Sequence, residues 1–336
     1  MAKPNVFITR RIPEPGITLL QKYCTVRVYA KDNIISRKEL LRGVKWCDAL
    51  LCLLTDTIDT EIIDANPHLK IISNYAIGFN NIDVKYATEK TIPVTNTPGK
   101  AIFDAVAEHT FALMLALAKR IHEADHFTKR GKYQGWSPTL LIGTQLAGKM
   151  LGIVGLGKIG TDVAQKAVQG LGMNVIYHDV QRSTEFEKTY RARYCSLQDL
   201  LRKSDVVTLH VPLLPSTRHL IGEKELRLMK KTSFLINTAR GGIVDEKALV
   251  YAIKAKQIAG CALDVFECET DTDHHVHKEL QLKKYDNVIL TPHIASATEE
   301  ARSEMSRDAA ENILAVLQGK KPKYLVNREV YNTTAQ

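Results

Sequence analysis

Short apolar runs and amphipathic segments alternate along the chain from its first residues onward. The apolar runs are rich in Val, Ile and Leu, as expected of strands that are buried on both faces. They occupy residues 5–9, 25–30, 49–54 and 69–75, and helical patterns occupy residues 16–23, 36–46 and 60–66. Ser36 begins the second helical pattern, where its hydroxyl can cap the first turn. Strands and helices in alternation predict a parallel, doubly wound α/β sheet.

A long helical pattern separates this series from a second one. It covers about residues 101–130, and because apolar side chains lie nearly all round it, we expect it to be buried and to connect two domains. The second series of strands follows at 150–155, 174–179, 205–211, 233–239, 258–266 and 287–293. A last helix is predicted from Ser296, because Glu299 three residues later completes a capping box. The chain is therefore expected to fold as two doubly wound parallel-sheet domains of the α/β class.

Length and composition agree with this expectation. The chain has 336 residues, 45% of them hydrophobic and 25% charged, which allows about two domains of roughly 150 residues each. The N-terminal stretch MAKPNVFITR lacks the succession of basic, apolar and small residues that marks a signal peptide. The longest strongly apolar run, residues 110–118, is shorter than the about 20 residues that span a bilayer. We therefore expect a cytoplasmic protein that does not bind membranes.

Cysteines, histidines and charge argue against several other classes of protein. None of the six cysteines forms a CxxC pair and most lie in apolar runs, which favours reduced, buried thiols over disulfides. His274, His275 and His277 cluster in a polar stretch without a Cys or Glu at helical ligand spacing, so we expect no metal site. The net charge of +9 comes from scattered basic residues that often adjoin acidic ones. This distribution favours an enzyme with anionic ligands over a nucleic-acid binder.

A glycine motif opens the second series of strands and helices. Gly155, Gly157 and Gly160 form G-x-G-x-x-G directly after a predicted buried strand and at the start of a helix. In that context the glycines allow a tight turn, close approach of the backbone to a pyrophosphate, and close packing of helix on strand. The next strand ends at Asp179, whose carboxylate can bind a ribose 2′-hydroxyl and would repel a 2′-phosphate. This predicts NAD binding with NADH preferred over NADPH, a preference that Arg182 nearby weakens.

Three polar residues, Arg240, Glu269 and His293, follow successive strands of the second series. Ligands of doubly wound sheets bind at the carboxyl ends of the strands, so these side chains can converge on one site. Histidine, with an ordinary pKa near 6.5, can give a proton to a carbonyl, and a carboxylate beside it orients the ring. Arginine can hold a carboxylate or keto oxygen with its planar fork. Each residue alone could belong to a plain surface turn, but the ordered set predicts carbonyl reduction. We interpret Gly241 and Gly242 as leaving room for substrate and cofactor beside Arg240.

The chain resembles the D-isomer-specific 2-hydroxyacid dehydrogenases over nearly its whole length. The resemblance runs through NYAIGFNNID, AVAEHT, LGIVGLGKIG, DVVTLHVPLLPSTRHLI, LINTARGGIVDEKAL, ALDVFE and TPHIASAT, in that order. It implies that Arg240 anchors the substrate, that His293 is the acid/base and that Glu269 is its partner. Val106 stands where the family has Thr, Ala or Ser before AEH, which is a small departure from the pattern.

The same resemblance implies a domain arrangement and further site residues. A Rossmann NAD-binding domain, residues 101–290, would be inserted in a flavodoxin-like substrate domain, residues 1–100 and 291–336. The family is usually a homodimer paired through the cofactor domain, with a cleft that closes on the substrate. The implied cofactor contacts are Gly155, Gly157, Lys158, Ile159, Gly160, Asp179, Pro212, Thr217, Ala239 and Asp264, the last near the nicotinamide carboxamide. The implied substrate contacts are Leu54, Ile77, Gly78 and Arg240, with Trp136 either closing a substrate pocket or anchoring the dimer.

Two branches of the family share segments with this chain. ALLCLLTDTID resembles the glyoxylate and hydroxypyruvate reductases, whereas KYQGWSPTL resembles the phosphite dehydrogenases. The latter have a lysine where this chain has Ile77, and without that cation a dianionic substrate loses a principal partner, so phosphite oxidation ranks second. Some relatives are NAD-sensing corepressors, but nothing in the sequence suggests a peptide-binding groove. We therefore predict an NAD-dependent oxidoreductase that reduces a small 2-keto acid, with glyoxylate and hydroxypyruvate as the first candidates.

Overall fold

The computed structural model describes residues 2–267, 269 and 281–332. The strands are β1 (Asn5–Ile8), β2 (Thr25–Val28), β3 (Ala49–Leu53), β4 (Ile71–Tyr75), β5 (Val94–Thr95), β6 (Met150–Val154), β7 (Asn174–His178), β8 (Arg193–Tyr194), β9 (Val206–Leu209), β10 (Phe234–Asn237), β11 (Gly260–Leu263) and β12 (Val288–Leu290). The α-helices are α1 (Glu14–Tyr23), α2 (Arg37–Trp46), α3 (Thr60–Asp64), α4 (Val84–Glu89), α5 (Lys100–Ala118), α6 (Ile121–Lys129), α7 (Lys158–Leu171), α8 (Thr184–Tyr190), α9 (Leu197–Lys203), α10 (Glu223–Leu228), α11 (Glu246–Lys254) and α12 (Glu299–Leu317). Strands and helices alternate, as the hydrophobic pattern predicts.

The chain divides into two compact units. Unit one comprises residues 1–102 and 297–336, and unit two comprises residues 103–296. The sequence places the boundaries slightly earlier, at 100/101 and 290/291. The second boundary differs because β12 pairs with β11 and the turn that follows β12 is hydrogen-bonded to Asp264, which keeps both in unit two.

In unit one, the described strands form one parallel sheet in the order β2-β1-β3-β4-β5. Helices α2, α3 and α4 cover an apolar core that includes Leu50, Ile62 and Ile72. The C-terminal helix α12 packs against α1 and β4, which returns the end of the chain to the first unit. Ser36 caps α2, as predicted, because its hydroxyl accepts a hydrogen bond from the Glu39 amide. The carboxyl ends of β3 and β4 meet at one edge of this sheet.

In unit two, the described strands form a parallel sheet in the order β12-β11-β10-β9-β6-β7-β8. The strand order reverses between β6 and β9, which is where ligands bind in doubly wound sheets. Apolar clusters lie on both faces of the sheet, one around Leu235 and Leu249, the other around Ile153, Val163 and Ile236. The predicted fold class, two parallel-sheet α/β units, is therefore confirmed.

The long helix predicted over residues 101–130 is two helices. Helix α5 ends at Ala118 and α6 begins at Ile121, with Arg120 between them in the left-handed region at φ +54°. The carbonyl of Ala118 accepts a hydrogen bond from the Thr144 amide at 2.7 Å, so it is not used to continue the helix. A hydrogen bond from a segment more than twenty residues away therefore ends α5. The hydrophobic pattern of residues 101–130 alone could not predict this end.

Helix α5 is long and apolar enough to cross a membrane by length and composition alone, and half of that stretch is buried inside the protein. Its residues Ala107, Leu113, Met114 and Leu117 belong to the apolar cluster of unit two. This is the packing of a core helix, as the sequence predicts for residues 110–118.

Two smaller predictions differ from the structure. The last helix is capped by Thr298, whose side chain accepts a hydrogen bond from the Ala301 amide, so the capping box predicted at Ser296 is wrong. The short edge strand β8 has no counterpart in the sequence prediction. Its two residues pair with β7 and are too few to give a periodic pattern.

Candidate active site

The turn between β6 and α7 has the shape that a dinucleotide requires. Gly155 has φ +96°, and a side chain there would approach the His210 carbonyl within 2.8 Å. A Cβ on Gly160 would collide with the carbonyl oxygen of Gly155. By contrast, a Cβ on Gly157 would meet no atom within 4 Å, so this glycine faces open space at the helix N-terminus. The residues present fit a bound diphosphate, because the first and third glycines are needed for packing and the second leaves the approach free.

Asp179 lies beside this turn, directly after β7. Its carboxylate accepts hydrogen bonds from the Leu156 amide at 2.6 Å and from the Gln181 amide at 3.3 Å. These contacts fix the carboxylate next to the glycine turn, where a ribose would bind. Arg182, which in the sequence analysis weakens the expected preference for NADH, makes a two-pronged ion pair with Glu187 at 2.8 Å for each contact.

The remaining predicted cofactor residues line the same edge of the sheet. Lys158 is the exposed first residue of α7, and Ile159 after it packs against the apolar cluster beneath the helix. The Thr217 hydroxyl donates to the Pro212 carbonyl at 2.6 Å and accepts from the Leu214 amide at 2.8 Å, which holds the loop after β9 together. Ala239 follows β10, and its amide donates to the Asn237 side chain at 3.0 Å.

His210, which the sequence analysis did not single out, lies where the strand order reverses. It follows β9, and its amide donates to the Val154 carbonyl at 2.8 Å. Its ring shares a 2.9 Å hydrogen bond with the Thr208 hydroxyl. Burial lowers the pKa of His210 to about 3, so the ring is neutral near pH 7 and adds no charge beside the glycine turn. Its position at the end of a predicted strand, next to the glycine motif, is the signal that could have identified it.

Arg240, Glu269 and His293 come together at the carboxyl ends of β10, β11 and β12. The His293 Nδ1 atom is hydrogen-bonded to the Glu269 Oε1 atom. Arg240 is partly exposed, and burial lowers the pKa of its guanidinium while the nearby Glu269 carboxylate opposes that shift. The Glu269 and His293 side chains keep 20% and 22% of their surface exposed, so both remain accessible to a ligand. The chemistry available is a carboxylate-oriented imidazole beside a cation.

Gly241, directly after Arg240, has a different role from the one we inferred from the sequence. A Cβ on Gly241 would collide with the backbone of Phe266 and Glu267. Its missing side chain therefore lets the turn after β10 pack against the segment that carries Glu269. A Cβ on Gly242 would lie 3.3 Å from the Leu213 side chain, a tight contact that a small shift of that flexible side chain would relieve.

Asp264 organises the turn that carries His293. It is fully buried, and its carboxylate accepts hydrogen bonds from the Thr291 hydroxyl at 2.6 Å, the Ile294 amide at 2.9 Å and the Ala295 amide at 2.8 Å. Its backbone carbonyl accepts from the His293 amide at 2.8 Å. His293 itself has φ +53°, a conformation that non-glycine residues seldom adopt and that the surrounding bonds must enforce. The sequence gives no sign of this arrangement.

The helix α5 contributes one more group to this turn. His109 Nε2 lies 3.2 Å from the Thr291 hydroxyl and 3.4 Å from Asp264. Burial alone would raise the pKa of Asp264, but the hydrogen bonds from His109, Thr291 and the two amides outweigh it and hold the pKa below its ordinary value. Asp264 is therefore ionised near neutrality and is a strong acceptor for the turn. His109 lies within the AVAEHT motif, which is the signal that could have identified it.

Replacing Asp264 with asparagine is expected to loosen this turn. Whichever way it is turned, an asparagine amide group would place an N–H donor against one of the two backbone amides that Asp264 accepts from, leaving buried N–H groups unsatisfied. Protection of the Ile294 and Ala295 amides from hydrogen exchange should fall about tenfold or more, since each 1.4 kcal/mol is a factor of ten. Exchange measured by mass spectrometry on the 288–296 segment reads this out.

Asp205→Asn is the matched control, because Asp205 also accepts a backbone amide, that of Met150, at the opposite end of the sheet. It should leave exchange at Ile294 and Ala295 close to that of the wild type. Equal exchange at these two amides in Asp264→Asn and wild type would contradict the assigned role of Asp264.

In unit one, the loops after β3 and β4 carry Leu54, Ile77 and Gly78. The Asn96 side chain donates to the Ile77 carbonyl at 2.7 Å, and the Asn74 side chain donates to the Gly78 carbonyl at 2.8 Å. Because a trans peptide is planar, the amide that follows each carbonyl points the opposite way, so the N–H groups of residues 78 and 79 face away from these asparagines. This arrangement offers two backbone donors to a small anion.

A third asparagine, Asn81, completes this loop framework. Asn81 donates to the Leu53 carbonyl at 3.0 Å and to the Asp56 carbonyl at 3.1 Å, which fixes the backbone on either side of Leu54. Neither Asn74 nor Asn81 was recognised from the sequence, although both lie within the NYAIGFNNID motif.

Trp136 is 83% exposed and lies on a segment with other exposed apolar side chains, including Ile121, Tyr133 and Ile142.

Within the described residues, no three His, Cys, Asp or Glu side chains are placed to hold a metal ion, and the cluster His274, His275 and His277 lies outside them. The cysteines that the structure describes are free thiols: Cys24, Cys47, Cys52 and Cys261 are buried and Cys195 is partly exposed.

Comparison with known proteins finds relatives that match nearly the whole chain. A sequence model of the D-isomer specific 2-hydroxyacid dehydrogenase NAD binding domain matches residues 111–295. The glyoxylate reductase of Thermofilum pendens is 50% identical over 333 residues, covering 98% of this chain and 96% of the relative. That of Aeropyrum pernix is 48% identical and covers 98% of each chain. The crystal structure of D-lactate dehydrogenase from Aquifex aeolicus, complexed with NAD and lactic acid, superposes with a TM-score of 0.82 at 32% identity, covering 94% of this chain and 96% of the other.

Proposed function

Because the chain belongs to the D-isomer-specific 2-hydroxyacid dehydrogenase family, we propose that it reduces a small 2-keto acid, glyoxylate or hydroxypyruvate, with NADH as the preferred cofactor. It is an oxidoreductase acting on CH–OH groups and binds a nicotinamide dinucleotide. The observation that carries the proposal is the hydrogen-bonded His293–Glu269 pair beside Arg240, at the same sheet edge as the glycine turn.

Proton transfer falls to His293 in this proposal. A bound reduced nicotinamide would supply the hydride that the keto carbon accepts. The imidazolium of His293 gives its proton to the carbonyl oxygen, which completes the hydroxyl group. Glu269 holds the Nδ1 side of the ring, which leaves Nε2 as the atom that gives the proton to the substrate.

Arg240 binds the substrate by charge and hydrogen bonds. Its guanidinium is partly buried, where an ion pair is screened less by water than at the surface. It holds the keto oxygen or the carboxylate with its planar fork and polarises the carbonyl for reduction. The backbone amides that follow Ile77 and Gly78, together with Leu54, are the further proposed substrate contacts. Ile77 itself is apolar, which suits a monoanionic keto acid better than a dianion.

The cofactor is held by the glycine turn and by Asp179. The N-terminal turn of α7 would take the diphosphate, with Lys158 and Ile159 as its first residues. Pro212, Thr217 and Ala239 are the further proposed cofactor contacts. The Asp179 carboxylate would accept the ribose 2′-hydroxyl, which supports NADH over NADPH. The implied cofactor contact of Asp264 would have to share a carboxylate that already accepts hydrogen bonds from Thr291, Ile294 and Ala295.

We also propose that the enzyme is a cytoplasmic homodimer paired through unit two. The exposed apolar side chains of Ile121, Tyr133, Trp136 and Ile142 on one segment support an interface there. The free thiols agree with a reducing compartment.

Light scattering on the purified protein should give twice the mass of one chain, and a Trp136→Ser, Ile142→Ser double variant should shift that mass toward one chain. A wild type of single-chain mass would overturn the dimer.

The experiment for the proposed function is NADH consumption by the purified protein with glyoxylate, hydroxypyruvate, pyruvate and a bulkier 2-keto acid in parallel. Rapid turnover on glyoxylate or hydroxypyruvate supports the proposal. Phosphite with NAD is the test of the second function, which the relatives do not favour. No turnover of any of these keto acids, together with tight NADH binding, would instead favour the NAD-sensing corepressor class.

A further inference from the structure

The segment after β7 carries a cation close to the proposed ribose site, and that cation is already paired. Arg182 follows Asp179 by three residues, and the Gln181 amide donates to the Asp179 carboxylate at 3.3 Å, which turns the segment back on itself. The Arg182 Nε and Nη2 atoms donate to the two carboxylate oxygens of Glu187, each at 2.8 Å. Both oxygens of one carboxylate therefore occupy the fork of the guanidinium.

Glu187 is held in place by more than this ion pair. Its side chain is only 16% exposed, and the Tyr177 hydroxyl donates to its Oε1 atom at 3.0 Å. Tyr177 is fully buried, and its hydroxyl also accepts from the Ser183 amide at 2.7 Å. The hydrogen bonds from Arg182 and Tyr177 hold the pKa of Glu187 below its ordinary value, so the carboxylate stays charged at neutral pH. The partner of Arg182 is thus anchored to the core rather than free in solvent.

An arginine at this position would otherwise favour the phosphorylated cofactor. In folds of this type, an arginine close to the acidic residue after the second strand accommodates a 2′-phosphate. Here the Arg182–Glu187 pair carries no net charge, and a 2′-phosphate would face the fixed Asp179 carboxylate while Arg182 is already engaged by Glu187. Binding the phosphate through Arg182 would first require breaking a two-pronged ion pair.

We propose that Glu187 is a specificity-determining residue that disfavours NADPH by occupying Arg182. The inference rests on the proposed dinucleotide site and adds a second determinant to Asp179. Its consequence is that Glu187→Gln frees Arg182 for a 2′-phosphate while leaving NADH binding unchanged, because Glu187 has no part in binding the 2′-hydroxyl. Glutamine keeps an acceptor for the Tyr177 hydroxyl, so the local fold is preserved.

The test is calorimetric titration with 2′,5′-ADP and 5′-AMP, which differ only in the 2′-phosphate. Glu187→Gln should bind 2′,5′-ADP about three- to tenfold more tightly than wild type, the size expected for freeing one partly exposed charge-assisted interaction. Binding of 5′-AMP should stay within about twofold. NADPH and NADH fluorescence titrations should show the same pattern.

Two further variants make the result specific. Glu185→Gln removes the same charge from the same helix at an exposed position and should leave both affinities unchanged. The Arg182→Gln, Glu187→Gln double variant should lose the gain for 2′,5′-ADP. A Glu187→Gln protein with unchanged 2′,5′-ADP affinity, or a gain that persists in the double variant, overturns the role of Glu187 alone. Failure of the wild type to bind 5′-AMP would overturn the dinucleotide site itself.

Discussion

Replacing His293 with alanine is expected to lower kcat for 2-keto acid reduction by about 10³-fold. A positioned general acid contributes about 10²–10⁴-fold to proton transfer, and in this site the imidazole is the group that Glu269 orients. The effect should appear in kcat and in kcat/KM alike, since the proton is transferred only in the reaction and not on binding. Steady-state rates with saturating NADH, alongside NADH binding by fluorescence, measure both.

The left-handed backbone at residue 293 calls for a second variant. Asparagine tolerates φ +53° better than alanine and cannot act as an acid, so His293→Asn should retain the turn and show the same loss of turnover. NADH affinity should stay within a few-fold of the wild type in both variants. Turnover that survives within a few-fold in His293→Asn would remove His293 from the mechanism.

Replacing Arg240 with alanine is the second change with a large expected effect. It removes the partly buried cation that we propose binds the substrate, and losing one partner of such a pair costs about 2–5 kcal/mol. The value of kcat/KM for glyoxylate or hydroxypyruvate should therefore fall about 10²–10³-fold, with KM raised as well as kcat lowered. Initial rates over a wide range of keto acid concentration separate these two parameters.

Arg240→Lys is the matched variant, because it keeps the charge and loses the planar fork. We expect it to recover only a small part of the activity, since an ammonium cannot bind two oxygens in the same plane. Added guanidinium ion should partly restore the alanine variant by filling the space beside Glu269. Full activity in Arg240→Lys would show that charge alone is needed and that the fork is not used.

Sequence analysis predicted well the features that depend on short stretches of neighbouring residues. The buried strands have continuous apolar runs, the glycine motif stands in its required context, and Arg240, Glu269 and His293 each follow a strand of one sheet. Because parallel strands end at a common edge, their order in sequence was enough to predict that these side chains meet. The His293–Glu269 hydrogen bond realises that expectation.

The features that were missed depend on contacts between distant segments. Helix α5 ends where the Thr144 amide donates a hydrogen bond to the Ala118 carbonyl. The hydrophobic pattern within residues 101–130 contains no sign of this contact. The role of Asp264 became visible only once β11 and β12 were adjacent, and Gly241 is explained by the backbone of Phe266 rather than by a ligand. The Arg182–Glu187 pair lies only five residues apart, yet its meaning depends on its position beside Asp179.

The most direct test of the central claim follows the hydride and the configuration of the product together. NADH carrying deuterium at both C4 positions is incubated with hydroxypyruvate and the enzyme, and the glycerate formed is analysed by chiral chromatography with mass spectrometry. We expect D-glycerate that contains one deuterium at C2. L-glycerate, or glycerate without deuterium, would contradict the proposed D-2-hydroxyacid dehydrogenase. So would the absence of both products, glycerate from hydroxypyruvate and glycolate from glyoxylate.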